Sequence, residues 1–307
     1  MFWKRWRHNH RSKLWDQPAQ TLENLAASSA DETGSFKLTD YEVSVSLITD
    51  VGCLRDNNED SSACITPGQS ERLASKGVLA IVADGMGGHS AGEVASRLAV
   101  EVVGRIYYDH PGEAEESLRQ AFLEANRLIY ETAHTEGDLA GMGTTCTALA
   151  VHNGLAISAH VGDSRLYLVR NGAIYLMSED HSAVMEMVRQ GLINYEAGQR
   201  HPDKNVLMRS LGTCPEVMVS MWEQPFPLRM GDQFVLCSDG LHDLVTNEEI
   251  RDVVTTVSAY AACDRLVALA KQRGGPDNIT VGLLEVKSKD AQGAKQMKDT
   301  RELEVAR

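Results

Sequence analysis

Between Thr144 and Ser178 the chain reads TTCTALAVHNGLAISAHVGDSRLYLVRNGAIYLMS, and no other stretch constrains the fold as much. Asn153-Gly154 and Asn171-Gly172 each sit between alternating apolar runs. Asn and Gly accept the positive φ angles of two-residue turns whose twist matches paired strands, so two β-hairpins are predicted. Strands also read from Tyr41 (YEVSVSLIT), over 78–84 (VLAIVAD), 217–223, 233–238 and 279–286 (ITVGLLEV). Helical patterns run from the capping-box spacing Ser90-Ala91-Gly92-Glu93 to about Tyr108 and from Glu113 to Ala133. Residues 182–198 also read as helical, and 247–273 as two helices. Hairpins interleaved with amphipathic helices indicate an α+β domain in which helices cover antiparallel sheets.

The 307 residues carry 43 acidic and 30 basic side chains, a formal charge of −13, and the imbalance is uneven. Residues 1–30 hold five basic and two acidic groups, and 287–307 hold six and four, which leaves −18 for 31–286. An acidic domain argues against nucleic acid as a partner, since phosphate neutralisation needs clustered Lys and Arg. The six cysteines (Cys53, Cys64, Cys146, Cys214, Cys237, Cys263) form no Cys-x-x-Cys pair, so a disulfide framework or zinc knot is not expected and a reducing cytoplasm is. No apolar stretch is long enough to span a bilayer, and MFWKRWRHNHRSKLW lacks the apolar core of a secretory signal. Residues 1–40 read as a loose basic extension and linker, 41–286 as the folded domain, and 287–307 as a polar tail.

Four aspartates share a context: each ends or follows an apolar strand and precedes Gly, Asn or Ser. They are Asp84 (IVADGMGG), Asp163 (AHVGDSR), Asp239 (FVLCSDGL) and Asp277 (GGPDNITV). A fifth acidic group, Arg55-Asp56-Asn57-Asn58-Glu59-Asp60, follows the first strand. Taken singly, an Asp-Gly is a turn former. Converging at one sheet edge, several carboxylates repel unless a cation joins them, and oxygen ligands without Cys or His favour Mg²⁺ or Mn²⁺. Asp163 reads as the structural member, anchoring a turn into LYLV. Arg55 has two readings, a counter-charge to these carboxylates or a bidentate anion binder. Hard cations beside an Arg suit phosphoryl chemistry, and no P-loop, kinase-type Gly loop or dinucleotide fingerprint points to a nucleotide donor.

In order, RDNNED, VADGMGGH, MGTT, HVGDSR, LCSDGL and GGPDN resemble the motifs of the bacterial PPM/PP2C metal-dependent protein serine/threonine phosphatases, over roughly residues 41–286. The resemblance implies a four-layer αββα fold, a central antiparallel β-sandwich flanked by helices. It implies two Mn²⁺ or Mg²⁺ ions, with Asp84 bridging them, the Gly85 carbonyl on one, and Asp239 and Asp277 on the other. Glu59 and Asp60 would bind directly or through water, and Arg55 would hold the substrate phosphate. Asp138, shortly before MGTT, would share a third ion with Asp239. The implied reaction is hydrolysis of phosphoserine and phosphothreonine by a metal-bridging hydroxide. Where eukaryotic members carry His after Asp-Gly, this chain has Met86, which has no proton to give. His89 reads equally as a proton donor or as a helix N-terminal structural residue. Residues from about His181 to Arg209 would form a variable flap, read as helix, loop, then strand.

The partners so implied are phosphorylated Ser/Thr proteins, including a bacterial Ser/Thr kinase, met by a monomer. Two other readings of these motifs are a catalytically silent regulatory or binding module, and a phosphohydrolase of small phosphorylated metabolites. The intact Asp84, Asp239 and Asp277 argue against the silent module.

Overall fold

The computed structural model describes residues 41–66, 76–87 and 91–288. Both Asn-Gly pairs make the turns their chemistry requires. Asn153 and Asn171 have φ of 50° and 54°, followed by Gly154 at 73° and Gly172 at 75°. They join β5 (Cys146–His152) to β6 (Leu155–Val161) and β7 (Arg165–Arg170) to β8 (Ala173–Leu176). The other strands are β1 (Tyr41–Asp50), β2 (Asp60–Ile65), β3 (Val78–Met86), β4 (Gly143–Thr144), β9 (Ser220–Met221), β10 (Phe226–Pro227), β11 (Gln233–Cys237) and β12 (Ile279–Ser288).

One sheet has five strands in the order β1-β12-β11-β7-β8. The other has seven, with β10-β6-β5-β3-β2 in line, β9 on β6 and β4 on β3. Every ladder among the described residues is antiparallel. Alternation in the strands assigns each face. In the seven-stranded sheet, Leu79, Ile81, Ala148, Ala150 and Ala159 pack on α1 (Ala91–Asp109) and α2 (Ala114–Thr135), through Val103, Tyr107, Leu118 and Phe122. In the five-stranded sheet, Val235, Val281 and Leu283 pack on α6 (Asn247–Thr256) and α7 (Ala259–Gln272), through Ile250, Val254 and Leu266. The intervening residues, among them Val82, Leu149, Leu166, Phe234 and Leu284, are fully buried as well. Both sheets are therefore covered on both faces, which makes the expected four-layer αββα sandwich.

The described residues divide into two compact units, 41–179 with 209–288, and 180–208. The smaller one corrects two expectations. The helix over 182–198 is broken into α3 (Ala183–Arg189) and α4 (Tyr195–Gln199). Gly191 takes the left-handed conformation (φ 73°) while Leu192 N donates to Met187 O, which closes α3, and Asn194 caps the restart by accepting from Ala197 N. No flap strand forms among the described residues of 180–208; its place is taken by a single bridge between Ser182 and Leu207.

In the larger unit, the strand expected over 217–223 shrinks to Ser220–Met221. Pro225 and Pro227 limit pairing beyond it to the edge contact of β10 on β6. The chain after β11 turns into a one-turn helix, α5 (Asp239–His242), that sequence periodicity does not signal. The basic extension, the linker, Ser90 of the capping box, His89 and the tail from 289 lie outside the described residues. Among those described, no helix is long and apolar enough to cross a membrane.

Candidate metal centre

Strand register sets the first contact of the site. β2 and β3 pair Asp60 opposite Asp84, two carboxylates face to face at the sheet's end. At the matching end of the other sheet, β11 delivers Asp239 to the start of α5, and Asp277 lies two residues before β12.

The first acidic loop is bound to these ends by a buried amide. Asn278 donates through Nδ2 to Val51 O (3.0 Å) and Asn57 O (2.9 Å), and its Oδ1 accepts from Glu59 N (2.8 Å). All three bonds run from one side chain to the loop carrying Arg55 and Glu59. Glu59 O in turn accepts from Gly85 N (3.1 Å) and Ser96 Oγ (2.6 Å), which draws the loop, β3 and α1 together. Gly85 must be glycine here, because a Cβ on it would lie 2.1 Å from Gly92 O and 2.6 Å from Glu59 O.

The carboxylates are held by hydroxyls and amides of the chain. Asp60 Oδ2 accepts from Ser238 Oγ (2.7 Å) and Thr280 Oγ1 (2.6 Å), both side chains fully buried. Asp84 is fixed through its backbone: its N–H donates to Thr145 Oγ1 (2.9 Å) and its carbonyl accepts from Thr144 Oγ1 (2.8 Å) and Thr145 N (2.8 Å). Arg55 Nη2 donates to Asp277 Oδ2 at 2.8 Å, with the Arg55 side chain 49% exposed.

Electrostatics mark the centre as short of positive charge. Loss of hydration, then the charges of Asp60, Asp239, Asp163 and Asp277, push the Asp84 carboxyl well above the usual range. Loss of hydration and the charges of Asp277, Asp243 and Asp60 raise Asp239 to about 7. Asp60 rises to about 6, chiefly through burial, although its two hydroxyl donors pull the other way. Arg55 is held more firmly protonated by its bond to Asp277, with Glu59 and Asp84 adding to the effect. One guanidinium does not balance this many carboxylates.

The residues fit hard divalent cations. Asp60 Oδ1 and Asp239 Oδ1 are buried without a hydrogen-bond partner among the described residues, so each leaves a lone pair unanswered in the interior. The donor set is all oxygen. Among the described residues, no three His, Cys, Asp or Glu side chains come together as a metal-binding group. Mg²⁺-type ions do not require one, since they take one or two carboxylates and keep several waters.

The structure thus gathers Arg55, Glu59, Asp60, Asp84, Gly85, Asp239 and Asp277. Asp138 is an exposed residue of the 3-10 turn Gly137–Leu139. Asp163, read as a turn residue, is buried and close enough to act on Asp84, while its carbonyl lies 3.1 Å from His242 Nε2. Sequence reasoning assigned no part to Asn278, Ser238, Thr280 or Thr145. Ser238 directly follows β11 and Thr280 is the second residue of β12, and both are fully buried.

The family profile for protein phosphatase 2C matches residues 57–272. The serine/threonine phosphatase stp of Listeria welshimeri is 38% identical over 243 residues, covering 77% of this chain and 93% of its own length. The serine/threonine phosphatase PstP/Ppp of Mycobacterium tuberculosis has a similar structure, with TM-score 0.71 and 35% identity over 80% of this chain and 99% of that one. So has the catalytic domain of the phosphatase PstP in complex with 2 manganese ions, with TM-score 0.68 and 34% identity over 80% and 99%. With a profile spanning most of the folded region and relatives above a third identical along it, the chain belongs to the protein phosphatase 2C family.

Proposed function

We propose that this chain is a Mn²⁺- or Mg²⁺-dependent protein serine/threonine phosphatase that hydrolyses phosphoserine and phosphothreonine. The observation that carries the reading is the crowding of Asp60, Asp84 and Asp239 at one end of the sandwich, with unanswered buried oxygens on two of them, beside Arg55. Relatives named as serine/threonine phosphatases support it.

Asp84, the Gly85 carbonyl, Asp239 and Asp277 would hold two ions, with Glu59 and Asp60 completing the set directly or through water; Asp138 would serve a third together with Asp239. When bound, such ions supply Lewis acidity toward phosphoryl oxygens and a source of nucleophilic water at neutral pH. The chain's own residues do the rest. Ser238 and Thr280 hold Asp60 through Oδ2 and leave its buried Oδ1 available to an ion. Thr144 and Thr145 fix the end of β3. Asn278 holds the loop on which Arg55 stands, so that its half-exposed guanidinium meets a phosphate in a set orientation. The departing seryl or threonyl oxygen needs a proton, which Met86 cannot give; His89 or a water would supply it.

The phosphatase domain would run over 41–286, between a basic extension (1–40) and a polar tail (287–307). The protein would act as a cytoplasmic monomer on phosphoproteins that include a Ser/Thr kinase. Six free cysteines support a reducing compartment. The test is hydrolysis of a phosphothreonine peptide with Mn²⁺, abolished by EDTA and restored by Mn²⁺. Turnover that survives thorough chelation would overturn the metal requirement. A preference for sugar phosphates or nucleotides over phosphopeptides would overturn the substrate class.

A further inference from the structure

His160 opens the motif HVGDSR, three residues before Asp163. It is 3% exposed, next to last in β6, and both its ring nitrogens are engaged. Nε2 lies 3.1 Å from Glu179 O, a carbonyl that can only accept, so Nε2 carries the proton. Nδ1 lies 2.8 Å from Oγ1 of Thr147, its cross-strand partner on β5. The Thr147 hydroxyl also reaches Ser164 O at 3.1 Å, so its single proton has two acceptors and the hydroxyl is clamped between them.

From Ser164 the contacts continue to the centre. Ser164 Oγ is 2.8 Å from Thr145 Oγ1, and that same oxygen accepts the Asp84 N–H at 2.9 Å. The turn presses directly on Thr145 as well, since a Cβ on Gly162 would fall 2.5 Å from Thr145 Cβ. Ser164, Thr145 and Thr147 are each buried. Interiors packed this closely transmit a displacement instead of absorbing it.

We propose that His160 is a positioning residue for Asp84, acting through Thr147, Ser164 and Thr145. The inference rests on the reading of Asp84 as a metal-holding residue, and it assigns to the imidazole the task of holding the 162–164 turn against Thr145. His160 touches neither substrate nor ion.

Two near-isosteric replacements separate this from a merely structural role. An Asn amide stands where Nδ1 stands and keeps the contact to Thr147, whereas a Gln amide reaches the place of Nε2 and keeps only the contact to Glu179. The experiment measures Mn²⁺ affinity by calorimetric titration, kcat and KM on a phosphothreonine peptide, and melting temperature, for the full chain and its variants. His160→Gln and Thr147→Val are expected to weaken Mn²⁺ binding by about tenfold, the low end of what loss of an outer support to a metal ligand costs, and to lower kcat with KM little changed. His160→Asn is expected to rescue both. If the Asn and Gln variants bind Mn²⁺ equally, or the Asn variant is the weaker, the route through Thr147 is overturned. Variants that change melting temperature alone overturn it too. Should His160→Gln fail to fold, Thr147→Val carries the same test. A wild-type chain that binds Mn²⁺ without dephosphorylating the peptide overturns the phosphatase reading while leaving the binding comparison decisive; one that binds no Mn²⁺ overturns both.

Discussion

Arg170 and Asp232 are buried to 3% and 1% exposure and answer each other in full, whereas Asp60, Asp84 and Asp239 crowd like charge at one end of the sandwich. In the first case Arg170 Nε and Nη2 each donate to Asp232 at 2.7 Å, Nη2 also donates to Pro227 O, and Arg229 N donates to Asp232 Oδ2. The guanidinium lies 4.8 Å over the Phe226 ring. In the second case two buried carboxylate oxygens have no hydrogen-bond partner among the described residues. A buried charge with matched partners is a structural element. Like charges kept together against their own repulsion point to a counter-charge from outside the chain.

Removing one member of each group should therefore have opposite consequences. Asp239→Asn should lower Mn²⁺-supported turnover of a phosphothreonine peptide by at least about 10²–10³-fold, on the scale of losing one placed electrostatic group from a reaction centre. In metal-free protein the same change should raise the melting temperature. Asp239 has a folded pKa of about 7 against an ordinary value of 3.8, so the folded state prefers it protonated. Stability from that proton is fully present below about pH 4 and is lost as pH rises to about 7. Asn has nothing to lose there, so the gap between variant and wild type should widen across that window. A gap that is flat with pH would show that Asp239 does not carry the strain.

Asp232→Ala reverses the pattern. It leaves the Arg170 guanidinium buried without its carboxylate, which costs about 3–5 kcal/mol. Denaturant unfolding should register that loss, while kcat per folded molecule stays unchanged. A fall in kcat equal to that of Asp239→Asn would erase the distinction between the two groups.

The sequence made the chemistry-bearing ends of the strands easier to read than their supports. Asp84 and Asp239 stood out because each carboxylate comes at the end of an apolar run and precedes Gly, and Asp277 because it stands two residues ahead of one. The hairpins stood out because Asn-Gly solves a definite backbone problem, and both formed as expected. What stayed hidden depends on through-space neighbours. Thr280 meets Asp60 from 220 positions away, and Ser238 from 178. Nothing local in either strand announces that meeting. The broken helix over 182–198 was missed for the converse reason, because apolar spacing continues across Gly191 while the backbone there turns left-handed. Asn278 was inside a quoted motif, yet its neighbour Asp277 took the attention because a carboxylate suggests chemistry and a buried amide does not.

That amide gives an intermediate test. Asn278→Ala removes three hydrogen bonds that hold the Arg55 loop, but no charge and no proposed ligand. The expected loss in kcat/KM is about ten- to hundredfold, as for a misplacement of the order of 1 Å at a reacting centre. Melting temperature should fall modestly, since three part-buried hydrogen bonds are lost. If kcat/KM is unaffected, the loop is held by its other contacts and Asn278 belongs with Arg170 and Asp232 as a structural group.

The weakest effect belongs to charge that is neither buried nor crowded. Arg273 meets Glu249 on the surface, with both side chains 36% exposed, and Glu249 also accepts from Thr246 N (3.0 Å) in the capping box that starts α6. The Arg273 bond, then the Thr246 amide, hold Glu249 down at about 2 against an ordinary 4.5. A depressed carboxylate stabilises the fold while ionised, so its contribution is present above about pH 4.5 and is lost as pH falls toward 2. Glu249→Gln should therefore lower the melting temperature slightly at pH 7 and converge with wild type in acid. Exposure lets salt screen the ionic part, so about 1 M NaCl should shrink the difference to that of the cap alone. The Asp232→Ala loss should hardly respond to the same salt, because ions do not reach a pair at 3% and 1% exposure. Equal salt sensitivity in the two variants would mean that burial does not separate them.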